Sequence, residues 1–277
     1  MSDLWIRLAV RPSAPEKHAA VSEALFAAGA QGLHEDNEYL VTHLEPATDA
    51  KGYEDAVQRV DAGATFATSD VQDVDWSVMW RDRIGAHRLG ILTVAPPWLA
   101  AGLDPETTII VEPAMAFGTG EHPTTRGVVR LMQQVIRPGD TVADLGAGSA
   151  VLAIAAAKLG ARSVAAIELD NDAISNAEEN VAANRVSDKV KVIEGDAAVL
   201  LPLVGPVRVV LANIISSVLI ELLPIIAKSL AEDGRVILSG ILLEERTGML
   251  MALEEQGWRV MNEDHEELWW SVEVARA

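Results

Sequence analysis

Residues Val142 to Ala161, V-A-D-L-G-A-G-S-A-V-L-A-I-A-A-A-K-L-G-A, constrain the fold more tightly than any other stretch of the chain. A short apolar run leads to Asp144, turns through Gly146 and Gly148, and enters an Ala- and Leu-rich helix. A second apolar run, Val164 to Ile167, ends on Glu168, twenty-two residues after Gly146. Strand, glycine turn, helix, strand and acid make the unit that holds an adenosine against a parallel sheet. The glycines let backbone approach the ligand, and the acid offers two acceptor oxygens to a ribose diol.

The details of the turn select among adenosine ligands. A pyrophosphate calls for G-x-G-x-x-G, whose third glycine lets the helix pack closely and aim its N-terminus at the phosphates. Here the turn reads Gly146-Ala147-Gly148-Ser149-Ala150-Val151, with no glycine at the last position. Asp144, just before the turn, sits badly beside a pyrophosphate. It suits a cation, and the methionine end of S-adenosylmethionine carries an ammonium and a sulfonium. A tight strand–helix turn without a ligand is the bland alternative, and it leaves the spaced acid unexplained.

The chain has 277 residues, enough for two domains. With 49% hydrophobic residues it can build a sizeable core. It has no cysteine, which removes disulfides and thiolate chemistry. The first five residues lack the basic start and apolar run of a signal peptide. The apolar stretch Val207 to Leu230 is interrupted by Asn213, Glu221 and Pro224, so no membrane span is expected. A cytoplasmic protein is the expectation. The net charge of −19 disfavours direct nucleic-acid binding and favours encounter with a basic macromolecule, although acidity can also serve solubility alone.

Residues 1–75 read as a separate small domain with 14 acidic and 5 basic residues, a net of −9. Leu4 to Val10 alternates as a strand, and Ala14 to Ala28 has helical spacing. Gly32 to Glu35 and Tyr39 to Leu44 suggest a hairpin, Tyr53 to Val60 a helix, and Thr65 to Val71 a last strand. That β-α-β-β-α-β order is the split-βαβ, ferredoxin-like pattern. Nothing in it resembles a catalytic constellation, so a recognition module is expected. Residues 76–106 read as a connector with a short helix, in which Trp76 and Trp80 share one face and pack at a seam.

From residue 107 the alternation is regular. Strands are expected at 141–145, 163–168, 189–194, 207–212 and 234–239, with helices at 123–137, 150–160, 171–184, 217–231 and 244–256. Two strands near 258–263 and 268–275 have no long helix between them. This predicts a mostly parallel, doubly wound α/β sheet finished by an antiparallel hairpin, over 107–277. Class I, Rossmann-like methyltransferase domains close their sheet in this way.

Upstream of the glycine turn lies Glu112-Pro-Ala-Met-Ala-Phe117-Gly-Thr-Gly120-Glu-His122-Pro123-Thr124-Thr125. Pro123 and the threonine hydroxyls are suited to starting a helix. Phe117 is placed to cover an apolar edge of a ligand, and Thr125 to hydrogen-bond its methionine end. Asn213 follows the strand Val207 to Leu211, so it stands at a carboxyl end of the sheet, where ligands bind. Its carbonyl can accept from a substrate amine and aim the lone pair at a methyl carbon; capping the next helix is its commoner use. Asp196, after Glu194-Gly195, is a candidate for the adenine amine or a simple turn residue. His122 is equally readable as a proton acceptor or as a loop histidine satisfied by neighbours.

These residues carry a resemblance. The Glu112–Thr125 segment, Asp144-Leu145-Gly146-x-Gly148-Ser149, Lys158-Leu159-Gly160-Ala161 and Ala212-Asn213-Ile214 together resemble the PrmA family, which methylates the large-subunit ribosomal protein numbered eleven. The likeness covers most of 107–277 and is fainter before it. It implies a ferredoxin-like domain that grips a basic protein of the ribosomal stalk base, joined by a mobile linker to a methyltransferase domain. It also implies cofactor contacts at Thr125, Gly146, Glu168 and Asn213. Two positions depart from the family pattern: Ala150 stands where Gly is usual, and Glu168 where Asp is usual.

The expected reaction is methyl transfer from S-adenosylmethionine to lysine or N-terminal amines, by a protein acting as a monomer. An in-line displacement needs a neutral amine held ~3 Å from the methyl carbon and shielded from water. It needs no metal, and the sequence offers no His/Asp/Glu ligand cluster. A lysine has an unperturbed pKa near ~10.4, so desolvation must help remove its proton. The alternatives are another protein or an RNA as methyl acceptor, and, less favoured by the turn, a nicotinamide-dependent oxidoreductase. Asn213-Ile214-Ile215 lacks the Asn-Pro-Pro-Tyr form of nucleobase and glutamine amide methylators.

Overall fold

The computed structural model describes residues 5–30, 32–36, 39–44, 48–71, 85–112, 120 and 122–277. The chain divides into two compact units, Met1–Arg83 and Ile84–Ala277. In the first, β1 (Trp5–Arg11), α1 (His18–Ala27), β2 (His34–Asp36), β3 (Tyr39–Leu44), α2 (Lys51–Val60) and β4 (Thr65–Val71) follow one another. The sheet order is β2-β3-β1-β4, antiparallel throughout, which is the ferredoxin-like arrangement. Alternation in β1 sends Leu8 and Val10 to one face, where they meet Val21 and Leu25 of α1 and Val57 of α2.

The second unit opens with a small sheet of β5 (His87–Leu89), β6 (Leu92–Ala95) and β7 (Thr108–Ile110). Leu89, Leu92, Val94 and Ile109 are buried in the same cluster as Val128, Val129 and Met132 of α3 (Pro123–Val135). Gln133 locks the β5–β6 turn to that helix, accepting from Ile91 N at 2.8 Å and donating to the Leu89 carbonyl at 2.9 Å. The connector read over 76–106 thus contains strands that pack on the larger unit from residue 87. Trp76 and Trp80 lie outside the described residues.

The main sheet runs β10-β9-β8-β11-β12-β14-β13. Its strands are β8 (Thr141–Leu145), β9 (Ser163–Glu168), β10 (Val190–Glu194), β11 (Val207–Asn213), β12 (Leu230–Leu242), β13 (Trp258–Glu266) and β14 (Trp269–Arg276). The first five pair in parallel and the last two antiparallel. The helices between them are α4 (Val151–Lys158), α5 (Asn171–Ala183), α6 (Ala197–Val204), α7 (Ser216–Ser229) and α8 (Arg246–Glu255). The central strands β8 and β11 are mostly apolar because helices cover both faces, Asp144 in β8 and Arg208 in β11 being the charged exceptions. All but the last residue of α4 are buried, as an all-apolar helix must be. Strand order reverses between β8 and β11, so the crevice where ligands bind lies at their carboxyl ends.

Two elements differ from the sequence reading. Helix α6 was not expected, because Pro202 and a featureless apolar run hide its period. Strand β12 begins at Leu230, which pairs with Val207, so α7 stops at Ser229 and the strand runs past the expected 239 to Leu242.

Candidate active site

The glycine turn is built on two backbone donors. Gly146 N and Ala147 N both reach the Ile167 carbonyl at the end of β9, at 2.9 and 3.1 Å. Gly146 (φ 69°) is left-handed, and a side chain there would begin 2.6 Å from Ile214 Cγ2. Ala150 is left-handed as well (φ 63°) and fully buried, packed into the core of the unit. It precedes α4 and cannot cap it with its own side chain.

Asp144 supplies that cap from the neighbouring strand. Its Oδ2 accepts from Ala153 N in the first turn of α4 at 2.9 Å. The carboxyl group is completely buried, and Oδ1 has no hydrogen-bond partner. Burial pushes its pKa up to about 7, the Ala153 amide opposing the shift and the charge of Glu168 adding to it.

Glu168 closes the far side of the turn. Its Oε2 accepts from Gly148 N at 2.7 Å, and Oε1 from Leu169 N and Asp170 N at 2.8 and 2.9 Å. A carboxylate has about four acceptor sites, so Oε2 keeps capacity for one hydroxyl. The longer side chain is therefore held by the turn itself. Asp196 caps α6, its Oδ1 accepting from Ala198 N at 2.7 Å, while the residue also lines the cleft.

A cleft of about 450 Å³ opens here, lined by Gly146, Gly148, Glu168, Asp196, Asn213 and Ile214. Five of the expected cofactor residues therefore share one cavity. A second, smaller cavity of about 260 Å³ adjoins it, lined by His122, Asn213, Ile214, Ile215, Gly240 and Trp269. Asn213, Ile214 and Ile215 belong to both. Asn213 does not cap the next helix, whose N-cap is Ile215, and its buried Oδ1 is without a partner.

Helix α3 brings the end of the upstream motif, His122 and Thr124, to the smaller cavity. Its start is capped by His122 rather than by the threonines: Nδ1 accepts weakly from Thr124 N at 3.4 Å and lies 2.7 Å from Thr124 Oγ1. Burial and the nearby Arg126 lower the His122 pKa below its ordinary value. Thr125 is fully buried, and its Oγ1 has no partner. Phe117 lies outside the described residues.

Sequence reasoning missed Trp269, Gly240 and Ile214. Gly240 (φ 83°) allows the Ile214 backbone to lie close against it, since a side chain there would begin 2.5 Å from the Ile214 carbonyl oxygen. An isolated glycine inside a strand pattern was the available signal. Trp269 carries no local signal, because only the hairpin brings it to His122, with ring centroids 4.8 Å apart and edge-on.

The donor set tests the ligand class. Asp144 Oδ1, Thr125 Oγ1 and Asn213 Oδ1 are buried oxygens without partners, each able to accept a hydrogen bond, and of the three residues Asn213 lines both cavities. The start of α4, where a pyrophosphate would bind, is already held by the Asp144 carboxylate. The residues fit a ligand with a cationic end and a ribose, and misfit one with phosphates. Among the described residues, no cluster of His, Asp or Glu is placed to hold a metal ion. Among them, too, no helix is long and apolar enough to cross a membrane.

Residues 38–277 match a protein family described as ribosomal protein L11 methyltransferase (PrmA). The chain is 38% identical over 205 residues to the ribosomal protein L11 methyltransferase of Desulfitobacterium hafniense, covering 72% of this chain and 64% of that one. It is 36% identical over 195 residues to that of Bacillus cytotoxicus, covering 69% and 62%. The matches span a little under two thirds of these relatives' length. A crystal structure of ribosomal protein L11 methylase from Lactobacillus delbrueckii subsp. bulgaricus superposes with a TM-score of 0.61 at 32% identity, covering 69% of this chain and 98% of that one. The M. jannaschii tRNA m1G37 methyltransferase, 12% identical, has a TM-score of 0.51 over 98% of this chain and 99% of its own, a likeness of fold alone.

Proposed function

The chain belongs to the ribosomal protein L11 methyltransferase (PrmA) family, and on that footing we propose that it transfers methyl groups from S-adenosylmethionine to lysine or N-terminal amines of ribosomal protein L11. The observation that carries this reading is the partnerless buried oxygen of Asn213, which lines both cavities, beside a helix start already taken by the Asp144 carboxyl group. Such a site attracts an ammonium and repels a phosphate.

When bound, S-adenosylmethionine supplies an electrophilic methyl group. The chain's residues do the rest. Glu168 offers its remaining acceptor to a ribose hydroxyl, Asp196 lies at the adenine end, and Ile214 packs over Gly146. Phe117 is assigned the apolar edge of the same ligand. Asn213 lines both cavities, so its carbonyl can accept from an amine in the smaller one while the cofactor fills the larger. Ile215 and Trp269 line that smaller cavity with apolar surface and shed water from it. A lysine entering such surroundings loses its proton more readily, since desolvation disfavours the charged form. Burial lowers the His122 pKa and so favours its neutral form, which does not repel the incoming cation.

The acceptor we assign is basic, to match a chain of net charge −19. The unit at residues 1–75, with a net of −9 and a ferredoxin-like sheet, is assigned the grip on that protein, and 107–277 the chemistry. The species we assign is a monomer acting in the cytoplasm. Incubation with labelled S-adenosylmethionine and a total ribosomal-protein extract tests the reading: label should enter the L11 band, and label in RNA or in no band would contradict it.

A further inference from the structure

Helix α3 and the β13–β14 hairpin are joined by four charged side chains that the proposed chemistry does not use. Arg126 donates from Nε and Nη2 to Glu266 Oε1 at 2.9 and 2.5 Å. Arg130 makes a two-pronged pair with Asp264, at 2.8 and 2.5 Å, and its Nη2 lies 2.8 Å from Glu266 Oε2. All four side chains are at most one-third exposed. Two positive and two negative charges balance, so the cluster leaves no net charge to bind an ion. The hairpin is also drawn close: a side chain at Gly127 would begin 2.5 Å from Ser271 Oγ.

The spacing of the cluster ties it to the smaller cavity. Arg126 and Arg130, four residues apart, share one face of α3, and the N-cap His122 stands four residues before Arg126. Facing them in order are Trp269, Glu266 and Asp264. Glu266 pairs with Trp269 across the hairpin, and Glu267 turns the chain between them with φ 55°. The last contact of this row is the edge-on packing of His122 against Trp269, both of which line the cavity.

We propose that Arg126 and Glu266 are positioning residues that set Trp269 as the wall of the amine cavity, so that substrate fit depends on this ion pair though neither residue lines the cavity. The inference rests on the reading of that cavity as the amine site. Two guanidinium N–H groups converging on one carboxylate oxygen hold Glu266 at a set distance from the helix. Without this ion pair, Arg130 still holds Asp264, but the hairpin tip beyond that pair loses its own tie to the helix, and a displacement of ~1 Å at a reacting site can cost up to ~100-fold.

The test is a double-mutant cycle with Glu266→Gln and Trp269→Ala, read in steady-state kinetics, cofactor binding and the NMR signals of the His122 ring. Glu266→Gln should raise KM for the protein substrate ~10-fold and leave cofactor Kd within ~2-fold. In the Trp269→Ala background it should have no further effect, since coupled residues are non-additive. The His122 ring signals should shift in Glu266→Gln as the indole edge moves. Full multiplication of the two effects, a parallel loss of cofactor affinity, or an unmoved His122 ring would each overturn the proposal. If the wild-type chain methylates no amine, the enzymatic reading fails, and the His122 signals still decide the clamp. Should Glu266→Gln not fold, Arg126→Lys, which keeps the charge and loses the fork, carries the same comparisons.

Discussion

Asp144 Oδ2 accepts a hydrogen bond from Ala153 N at 2.9 Å, so the first turn of one helix is capped by a carboxylate on the strand before it. The other oxygen of the same group is buried and partnerless. One residue thus stabilises the turn and keeps a buried oxygen without a partner inside it.

A pH dependence follows. The folded pKa of Asp144 is about 7 against an ordinary value of 3.8. The native protein therefore binds one more proton than the unfolded chain between these values, and its stability falls as pH rises through that window. The loss amounts to a few kcal/mol, at ~1.4 kcal/mol per unit. Thermal unfolding without ligand from pH 5 to pH 8 should show this decline, and Asp144→Asn should flatten it. An equal slope in both proteins would contradict the assignment.

Ala150 occupies a left-handed conformation that costs a residue with a Cβ ~1–2 kcal/mol. Ala150→Gly removes that strain but adds unfolded-state entropy. The expected net gain is ~0.5–1 kcal/mol in urea unfolding, with cofactor affinity little changed. A variant less stable than the wild type would show that the buried methyl group matters more than the strain.

Gly146 and Gly240 both give way to Ile214, one to its side chain and one to its backbone. Gly240→Ala should displace the Asn213–Ile214 segment, lower stability by ~1–3 kcal/mol and reduce turnover. Circular dichroism melts and methyl-transfer rates report both. Wild-type values in the two assays would mean the segment yields without consequence.

Asn213 is shared by the two cavities, and its substitution separates binding from chemistry. Asn213→Ala should reduce kcat ~10²–10³-fold, comparable to removing one aligned polar group from a reacting centre. Cofactor Kd should move only a few-fold. Equal losses in both would assign the residue to cofactor binding alone.

Much of this architecture was legible in the sequence, for identifiable reasons. The predicted bounds of strands β8 and β9 and helices α3, α4 and α5 fall close to the observed ones, α4 being marked by the glycine turn before it and its Ala- and Leu-rich run. The residues at strand ends, Glu168 and Asn213, followed from parallel-sheet logic, because a sheet of this kind presents one edge to its ligands. What the sequence hid depends on pairing at long range. Trp269 reaches His122 only through a hairpin that returns from the far side of the sheet. The Asp144–Ala153 bond was equally hidden, since local reasoning expects a helix to be capped by its own preceding residue. Helix α6 shows a third limit: eight residues with a proline inside offer too little period to read.

The central claim is that the cleft at Gly146, Glu168 and Asn213 accepts a cationic sulfur nucleoside and rejects a phosphorylated one. Titration calorimetry of the intact chain with S-adenosylmethionine, its demethylated product and NADH addresses it directly. The account predicts that the first two bind one per chain and that NADH does not. Tight binding of NADH with no uptake of either sulfur nucleoside would contradict it.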